Sequence, residues 1–540
     1  MERFERSLFE GQPAARKRAK PFDREQAQRQ LARVRTEQQN HMSQWREVFH
    51  FAMPNRSDFD NPTAGMDKMG RVTDSAPIRA ARRGAGNLKD ALIPNDQAWV
   101  EFEAGESVPD EQRDAANEVF EQIRDVAFDE LANSNHDAEA DSMALDLMCS
   151  MGTMVIDPGT PENPLVCRAV PLSQAFPVEG PNGEIETFFR VYPLPVGHIK
   201  RLWPTATIPQ KWESLLEKDR ESPVVVAEGN IYEPGYGYRF VVMTEDCKDI
   251  IHEVEPDDPD EPSRFITPRL MRTTGEVYGR GPLIEALPDI RVLNKREENS
   301  LKAQAKALTP GGLISSESGL NPNTMRTGPN SWNVVNTAGG LRAGDMMAAF
   351  PMTADIRTTE ELQAQKRAMI ERILFAEPVL PPVESSHRMT AYEVQTRRLQ
   401  QLQERGVDLG RVNREWAFAT IRRVVWCLQK VGVLPAELAP GLRLKLDNRL
   451  IRVKYSGPLA QARDANTANN ILSSVADIRA AVGDETAAEA MRLEDVPREV
   501  SELRNVPARL LRSDAEKKQI QQAKAQAAQQ MAAAQAGQVA

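Results

Sequence analysis

Apolar residues recur at three- and four-residue steps from Leu31 through Val34, Met42 and Trp45 to Val48 or Phe49, on an otherwise polar background. That period predicts one long amphipathic helix over 23–52, and Met53-Pro54-Asn55 stops it because proline supplies no amide hydrogen. A second helix is expected over 75–92, from Ser75-Ala76-Pro77 to the Ile93-Pro94 stop, with Leu88 and Leu92 inward. A third, over 110–133, sets Val119, Ile123, Val126 and Leu131 on one side, and a fourth follows at 138–150.

From Gly152 to Arg280 the pattern shortens to β-branched and apolar runs. They predict strands at 153–156, 165–170, 176–179, 185–191, 223–227, 238–244, 249–254 and 265–272. Pro181-Asn182-Gly183 between the third and fourth runs is a hairpin signal. The fold class expected is α+β, predominantly helical.

After Gly279-Arg280-Gly281-Pro282 the helical period returns and holds to Leu308, where Thr309-Pro310-Gly311-Gly312 ends it. Its apolar side is thin: Leu283, Leu287, Ile290, Leu301, Ala305 and Leu308. Arg291, Lys295, Lys302 and Lys306 form a separate basic stripe a quarter-turn or more away. So polar a helix is not expected to be a core element; it lines something wet or packs beside copies of itself. The stripe itself has two readings, a solvated face paired with glutamates of neighbouring helices or a row aimed at a polyanion. Pro288 either kinks the helix or marks the start of its straight part.

Residues 309–352 are rich in Gly, Asn, Ser and Pro and read as a small insertion. A helix over 355–375 presents Leu362, Met369, Ile370, Ile373 and Leu374; the proline-bearing loop Ala376 to Met389 follows. Thr390-Ala391-Tyr392-Glu393 is a capping box opening a helix of some 40 residues to Val431, which Gly406 and Gly410 interrupt or pass through. Helical segments are expected at 462–480 and 484–492. The Ala/Gln-rich tail after Ser513 is either a marginal helix or disordered in isolation.

Composition narrows the function. With 68 Lys and Arg against 78 Asp and Glu, the chain carries −10, which argues against coating nucleic acid by bulk attraction. The four cysteines, Cys149, Cys167, Cys247 and Cys427, lack metal-type spacing and read as buried thiols of a reducing compartment. The chain has no leader-like start, and its most apolar stretch, Ser142 to Ile156, is too short to span a bilayer and contains Asp146, so no membrane is expected. No phosphate loop, dinucleotide fingerprint or nucleophile elbow occurs, and the six histidines lack zinc-binding partners. The proline-cut acidic run Glu253 to Glu261 reads as a solvated loop. No catalytic residue, metal or cofactor is expected. A nucleic-acid enzyme would need a phosphate loop or a carboxylate cluster; a coiled-coil scaffold would need sustained heptads.

Four segments carry a resemblance. They are Arg82-Arg83-Gly84-Ala85-Gly86-Asn87-Leu88 with Pro94 and Trp99, Gly275 to Pro282 with Ala286 to Asn294, Arg388 to Val394, and Tyr455 to Ala462. In this order the chain resembles the portal (head-to-tail connector) proteins of short-tailed, podovirus-type bacteriophages over roughly residues 25–480. The resemblance implies the portal fold, a dodecameric ring around a central channel at one capsid vertex, made in the host bacterial cytoplasm and placed in the virion.

It further implies a mobile arm at 1–22, a wing at 23–281, stem helices at 282–308 and 353–375 and a clip at 309–352. The tunnel loop falls at 376–389, the long helix with return to the wing at 390–459, crown helices at 460–512, and a barrel helix or disordered tail at 513–540. Implied partners are eleven further copies, double-stranded DNA passing without sequence specificity, terminase large subunit, tail adaptor or head-completion proteins, and capsid and scaffolding proteins. The channel would be lined by Arg291, Lys295, Lys302 and Lys306 and by Glu384, Ser385, Ser386, His387 and Arg388, with Thr390 and Glu393 capping the helix after the loop. Twelve copies of −10 carry −120, which repels phosphates and leaves a few basic stripes as weak contacts.

Overall fold

The computed structural model of the chain describes residues 21–56, 68–70, 72–95, 97–105, 108–256, 258–308, 312–314, 347–349, 356–377, 409–434, 451–482 and 496–503. These form a mixed α and β fold in which helix predominates.

Helix α1 (Arg24–Ala52) starts where the Asp23 carboxylate accepts the Gln26 N–H at 3.0 Å, filling one of the four donors a helix start leaves open. Its buried stripe is Ala27, Leu31, Val34, Gln38, His41, Trp45, Val48 and Ala52, in alternating steps of four and three. His41, rather than the expected Met42, holds the fully inward position; it stacks on Trp45 at 5.4 Å, which lets an aromatic polar ring occupy an apolar site. Helices α2 (Ala76–Leu92), α3 (Asp110–Asn133) and α4 (His136–Cys149) follow, with strand β1 (Val100–Ala104) between α2 and α3.

The middle of the chain makes two antiparallel sheets. β2 (Met154–Thr160) is central between β3 (Asn163–Ala169) and the two-residue β9 (Phe265–Ile266). A meander in sequence order holds β4 (Ala175–Glu179), β5 (Ile185–Pro195), β6 (Pro223–Glu233), β7 (Gly237–Thr244) and β8 (Ile250–Val254). The strand expected at 265–272 stops after Ile266, and Met271 takes a left-handed backbone (φ 52°). The meander is covered on both faces. One joins the main core through Phe189, Val241 and Met243; the other meets α5 (Gln210–Lys218) through Tyr192, Val226, Phe240, Val242 and Trp212.

α6 (Pro282–Leu308) and α7 (Ile356–Ile373) come next, with a short pair, β10 (Gly312–Ile314) and β11 (Met347–Ala349), between them in sequence. The described part of the long C-terminal helix runs through Leu409–Asn413, a π-helical turn Arg414–Phe418, and α8 (Ala419–Val431). β12 (Ile451–Tyr455) pairs antiparallel with β1, Phe102 opposite Val453, returning the chain to its N-terminal third. α9 (Pro458–Val482) and α10 (Val496–Leu503) complete the described chain. The helix expected at 484–492, Gly406 and the tail after Ser513 lie outside the described residues.

Candidate functional site

α6 and α7 form an antiparallel hairpin, and the candidate site is this hairpin with its two attachments to the body. The first turns of α6 are core: Leu283, Ala286, Leu287, Ile290 and Leu293 are buried. This corrects the expectation from overall polarity, because apolar residues are concentrated in one half of the helix and charge in the other. Beyond them the helix emerges, and Leu301, expected inward, is 49% exposed. α7 mirrors this, with Ile370 and Leu374 buried near its end while Leu362 and Met369 are exposed. The helix continues through Pro288, which is itself exposed.

Polar contacts join the two helices and tie them to the segment before α2. Lys366 Nζ reaches Asp289 at 2.7 Å, and Arg367 bridges Glu297 at 3.1 Å and the buried Asp74 at 2.8 Å. Thr73 donates its N–H to Asn294 Oδ1 and its hydroxyl to the Asn294 carbonyl, both at 2.8 Å.

The lead-in to α6 is threaded tightly between α1 and α4. Tyr278 is buried edge-on to Trp45 and His41, and its hydroxyl donates to Ala175 O at 3.0 Å. The Val277 N–H donates to Glu37 at 2.9 Å, and the Gly281 N–H to Cys149 O at 2.9 Å. A Cβ at Gly279 would lie 2.5 Å from Leu270 O and 2.6 Å from Ser150 O, and one at Gly281 would overlap Met148 O. Both positions need glycine because backbone passes where a side chain would stand. Burial among these rings lowers the pKa of His41, against the opposing pull of Glu276.

The far end of α7 is held by α2. The Ala376 N–H closes the helix on Glu371 O at 2.8 Å, with Phe375 between them left-handed (φ 58°) where glycine is the usual residue. A Cβ at Gly84 would overlap the Leu374 carbonyl oxygen. Asn87 donates to Phe375 O at 2.7 Å and Arg83 to Ala376 O at 3.3 Å. The segment Arg83 to Asn87 thus packs against three successive carbonyls just past the end of α7, donating hydrogen bonds to two of them.

Two buried arginines, which no sequence signal singled out, tie the C-terminal helix to the sheets. Arg269 donates to Glu415 (2.6 Å from Nη2), Gly183 O (2.8 Å) and Val277 O (3.2 Å), and pairs with Glu179 at 3.3 Å. Arg423 donates to Ile156 O at 2.9 Å and Glu261 at 2.8 Å, its guanidinium 4.3 Å from the Trp426 ring centroid. Glu261, from the acidic run expected to be solvated, is therefore drawn into a buried pair.

Of the stripe on α6, Arg291 is paired with Glu47 of α1, and Lys295 (2.8 Å) and Lys302 share Glu298. These lysine hydrogen bonds hold the Glu298 carboxyl down to about 2, and the Glu47 bond raises Arg291. The side chain of Lys306, and Glu384, Ser385, Ser386, His387, Arg388, Thr390 and Glu393, lie outside the described residues. Among the described residues no group of His, Cys, Asp or Glu is arranged to hold a metal, and no helix is long and apolar enough to cross a membrane. All four cysteines are buried free thiols; burial pushes Cys427 to about 11 and Cys167 to about 12, far from thiolate chemistry at neutral pH. The arrangement is mechanical: a hairpin projecting from a core that fixes both of its ends.

Residues 24–511 match the family described as bacteriophage head to tail connecting protein. A probable portal protein of Bordetella phage BPP-1 is 23% identical over 505 residues, covering 85% of this chain and 84% of its own. Among solved structures, the neck of an empty gene transfer agent particle, computed with C6 symmetry, aligns at a TM-score of 0.35 and 14% identity, over 78% of this chain and 91% of that one. The virion of a native gene transfer agent particle aligns at 0.34 and 13%, over 80% and 93%.

Proposed function

Because this chain belongs to the family of bacteriophage head-to-tail connecting proteins, structural parts of a phage particle rather than enzymes, we propose that it forms a dodecameric portal ring at one capsid vertex. Double-stranded DNA enters and leaves through the channel of this ring. Residues 23–281 are the wing, 282–308 and 353–375 the stem, 309–352 the clip, 376–389 the tunnel loop, 390–459 the long helix and return to the wing, and 460–512 the crown. The clip is the docking platform for terminase large subunit and tail adaptor proteins, and capsid and scaffolding proteins are further partners.

The observation that carries this reading is the family match over most of the chain. The hairpin supports it: Val292, Leu301, Leu362 and Met369 are 41–49% exposed on α6 and α7. Large apolar groups left open on a projecting shaft suit a second copy packed alongside. Arg291, Lys295, Lys302, Lys306 and the loop residues Glu384 to Arg388 face the channel in this reading, while Thr390 and Glu393 cap the helix beyond it. At ~1.5 Å per residue the 27 residues of α6 span about 40 Å, just over one duplex turn of ~34–36 Å.

Native mass spectrometry with negative-stain imaging of the purified chain tests the reading. Closed rings near twelve copies are expected; a stable monomer or dimer at high concentration overturns it. Deleting Val379 to Arg388 should leave the ring intact and impair packaging.

A further inference from the structure

We propose that the outward face of α2, formed by Arg79, Arg82 and the bare backbone at Gly86, is a contact surface for the phosphate backbone of duplex DNA. The inference rests on the connector reading and adds to it a surface outside the stem stripe and the tunnel loop.

Two glycines of α2 differ in what surrounds them. Gly84 is accounted for within the chain, since a Cβ there would overlap Leu374 O. Gly86 is not: a Cβ built on it meets nothing within 4 Å among the described residues. Glycine is a poor helix former, and here it lies in the body of a regular helix, Ala76–Leu92, with no contact among the described residues that excludes a side chain. The remaining physical reason for glycine is close approach from outside.

The surroundings indicate what approaches. At about 100° per residue, Arg79, Arg82, Arg83 and Gly86 fall within one arc of about 100°. Arg79 and Arg82 are exposed, and their guanidinium groups have no hydrogen-bond or ion-pair partner among the described residues. This differs from the α6 stripe, where Arg291, Lys295 and Lys302 already hold carboxylates. In a chain of net charge −10, two open arginines beside a patch of bare backbone suit a polyanion that comes close without a shaped pocket. The location is consistent with it. Arg83, on the same arc, donates to Ala376 O, so the ridge borders the point where the chain leaves α7 toward residues 378–389. In the connector reading a duplex would contact this ridge through phosphates and without reading bases.

The test uses the assembled ring of the full chain and a labelled random-sequence duplex, with affinity measured by fluorescence anisotropy from low to physiological salt. For Arg79→Ala with Arg82→Ala, rings of unchanged copy number are expected. They should bind on the order of tenfold more weakly near physiological salt, with the slope of log affinity against log salt shallower by about 1.8, since each neutralised phosphate contributes about 0.9. Gly86→Ala should raise the thermal midpoint of the chain, as an alanine in open helix does, yet weaken the duplex severalfold. Affinity and slope unchanged in both variants would overturn the proposal. So would loss of the ring in either, which would make the face a seam between copies. Absence of rings in the unmodified chain would instead count against the connector reading itself.

Discussion

Replacing Arg269 by alanine removes a cation whose side chain is fully buried and which joins the β4–β5 turn, the lead-in to α6 and the π-turn of the C-terminal helix. It leaves Glu415 and Glu179 without this partner and the Gly183 and Val277 carbonyls without this donor. Breaking one side of a buried charge pair costs about 3–5 kcal/mol, and each orphaned carbonyl about 1–3 kcal/mol more. Both glutamates keep 15–17% exposure, so water reaches them and recovers part of that sum. A net loss of about 4 kcal/mol follows, close to a thousandfold in a local opening constant. Hydrogen exchange read peptide by peptide is the assay. Protection should fall by about that factor in 414–431 and 277–290, with α5 little changed because it packs in the second core. Arg269→Lys should recover little, since an ammonium cannot reproduce the planar fork. A loss below tenfold at 414–431, or one equal throughout the chain, would refute the claim that Arg269 fixes these segments together.

Gly84→Ala sets a Cβ against the Leu374 carbonyl, an overpacking cost of about 1–3 kcal/mol that offsets the roughly 1 kcal/mol helix gain; thermal unfolding should show no stabilisation, and a raised midpoint would contradict the close approach. Glu298→Gln releases Lys295 and Lys302, so rings carrying it should bind duplex more tightly and with a steeper salt dependence; an unchanged slope would place those lysines away from DNA. Burial holds His136 neutral down to about 4 against 6.5 in the open chain. The unfolded state therefore takes up the proton first, and stability falls by about 3 kcal/mol as pH drops from about 6.5 to about 4. His136→Gln should flatten that part of the stability profile, and an unaltered profile would exclude His136 as its source.

Segments with strong period and clear punctuation were legible. The helix read at 110–133 is Asp110–Asn133, and the one read to Leu308 is Pro282–Leu308. The Pro181-Asn182-Gly183 turn does join two paired strands, with Gly183 left-handed at φ 80°. The helical period misplaces burial along α6, because a face is defined by its neighbours and only the first turns of this helix have the core beside them. β1 and β12 pair across most of the chain, a contact for which local pattern holds no signal. The same limit applied to the site. The glycine motifs at 82–88 and 275–282 could be marked as unusual, but the carbonyls they accommodate come from Leu270, the end of α4 and the residue after α7. Arg269, Glu415 and Arg423 look like any surface charge until folding brings their partners together.

The pairing on α6 bears on how the proposed channel can be both basic and non-adhesive. A lysine with no carboxylate would meet each phosphate with full attraction, and a row of them repeated around a ring would arrest the duplex. Lys295 and Lys302 are instead 64–65% exposed and share one carboxylate at 34% exposure. Exposed pairs of this kind contribute little to stability, so exchanging Glu298 for a passing phosphate is nearly balanced in either direction. In the proposed ring such a surface yields to the duplex and re-forms behind it. Arg291 differs, because its pair with Glu47 spans two helices and exchanging it would loosen α1 from α6. The two lysines are thus the exchangeable members of the stripe and Arg291 the structural one. Glu47→Gln should therefore act on hairpin protection in hydrogen exchange more than on duplex affinity, the reverse of Glu298→Gln; equal effects of the two on duplex affinity would defeat this division.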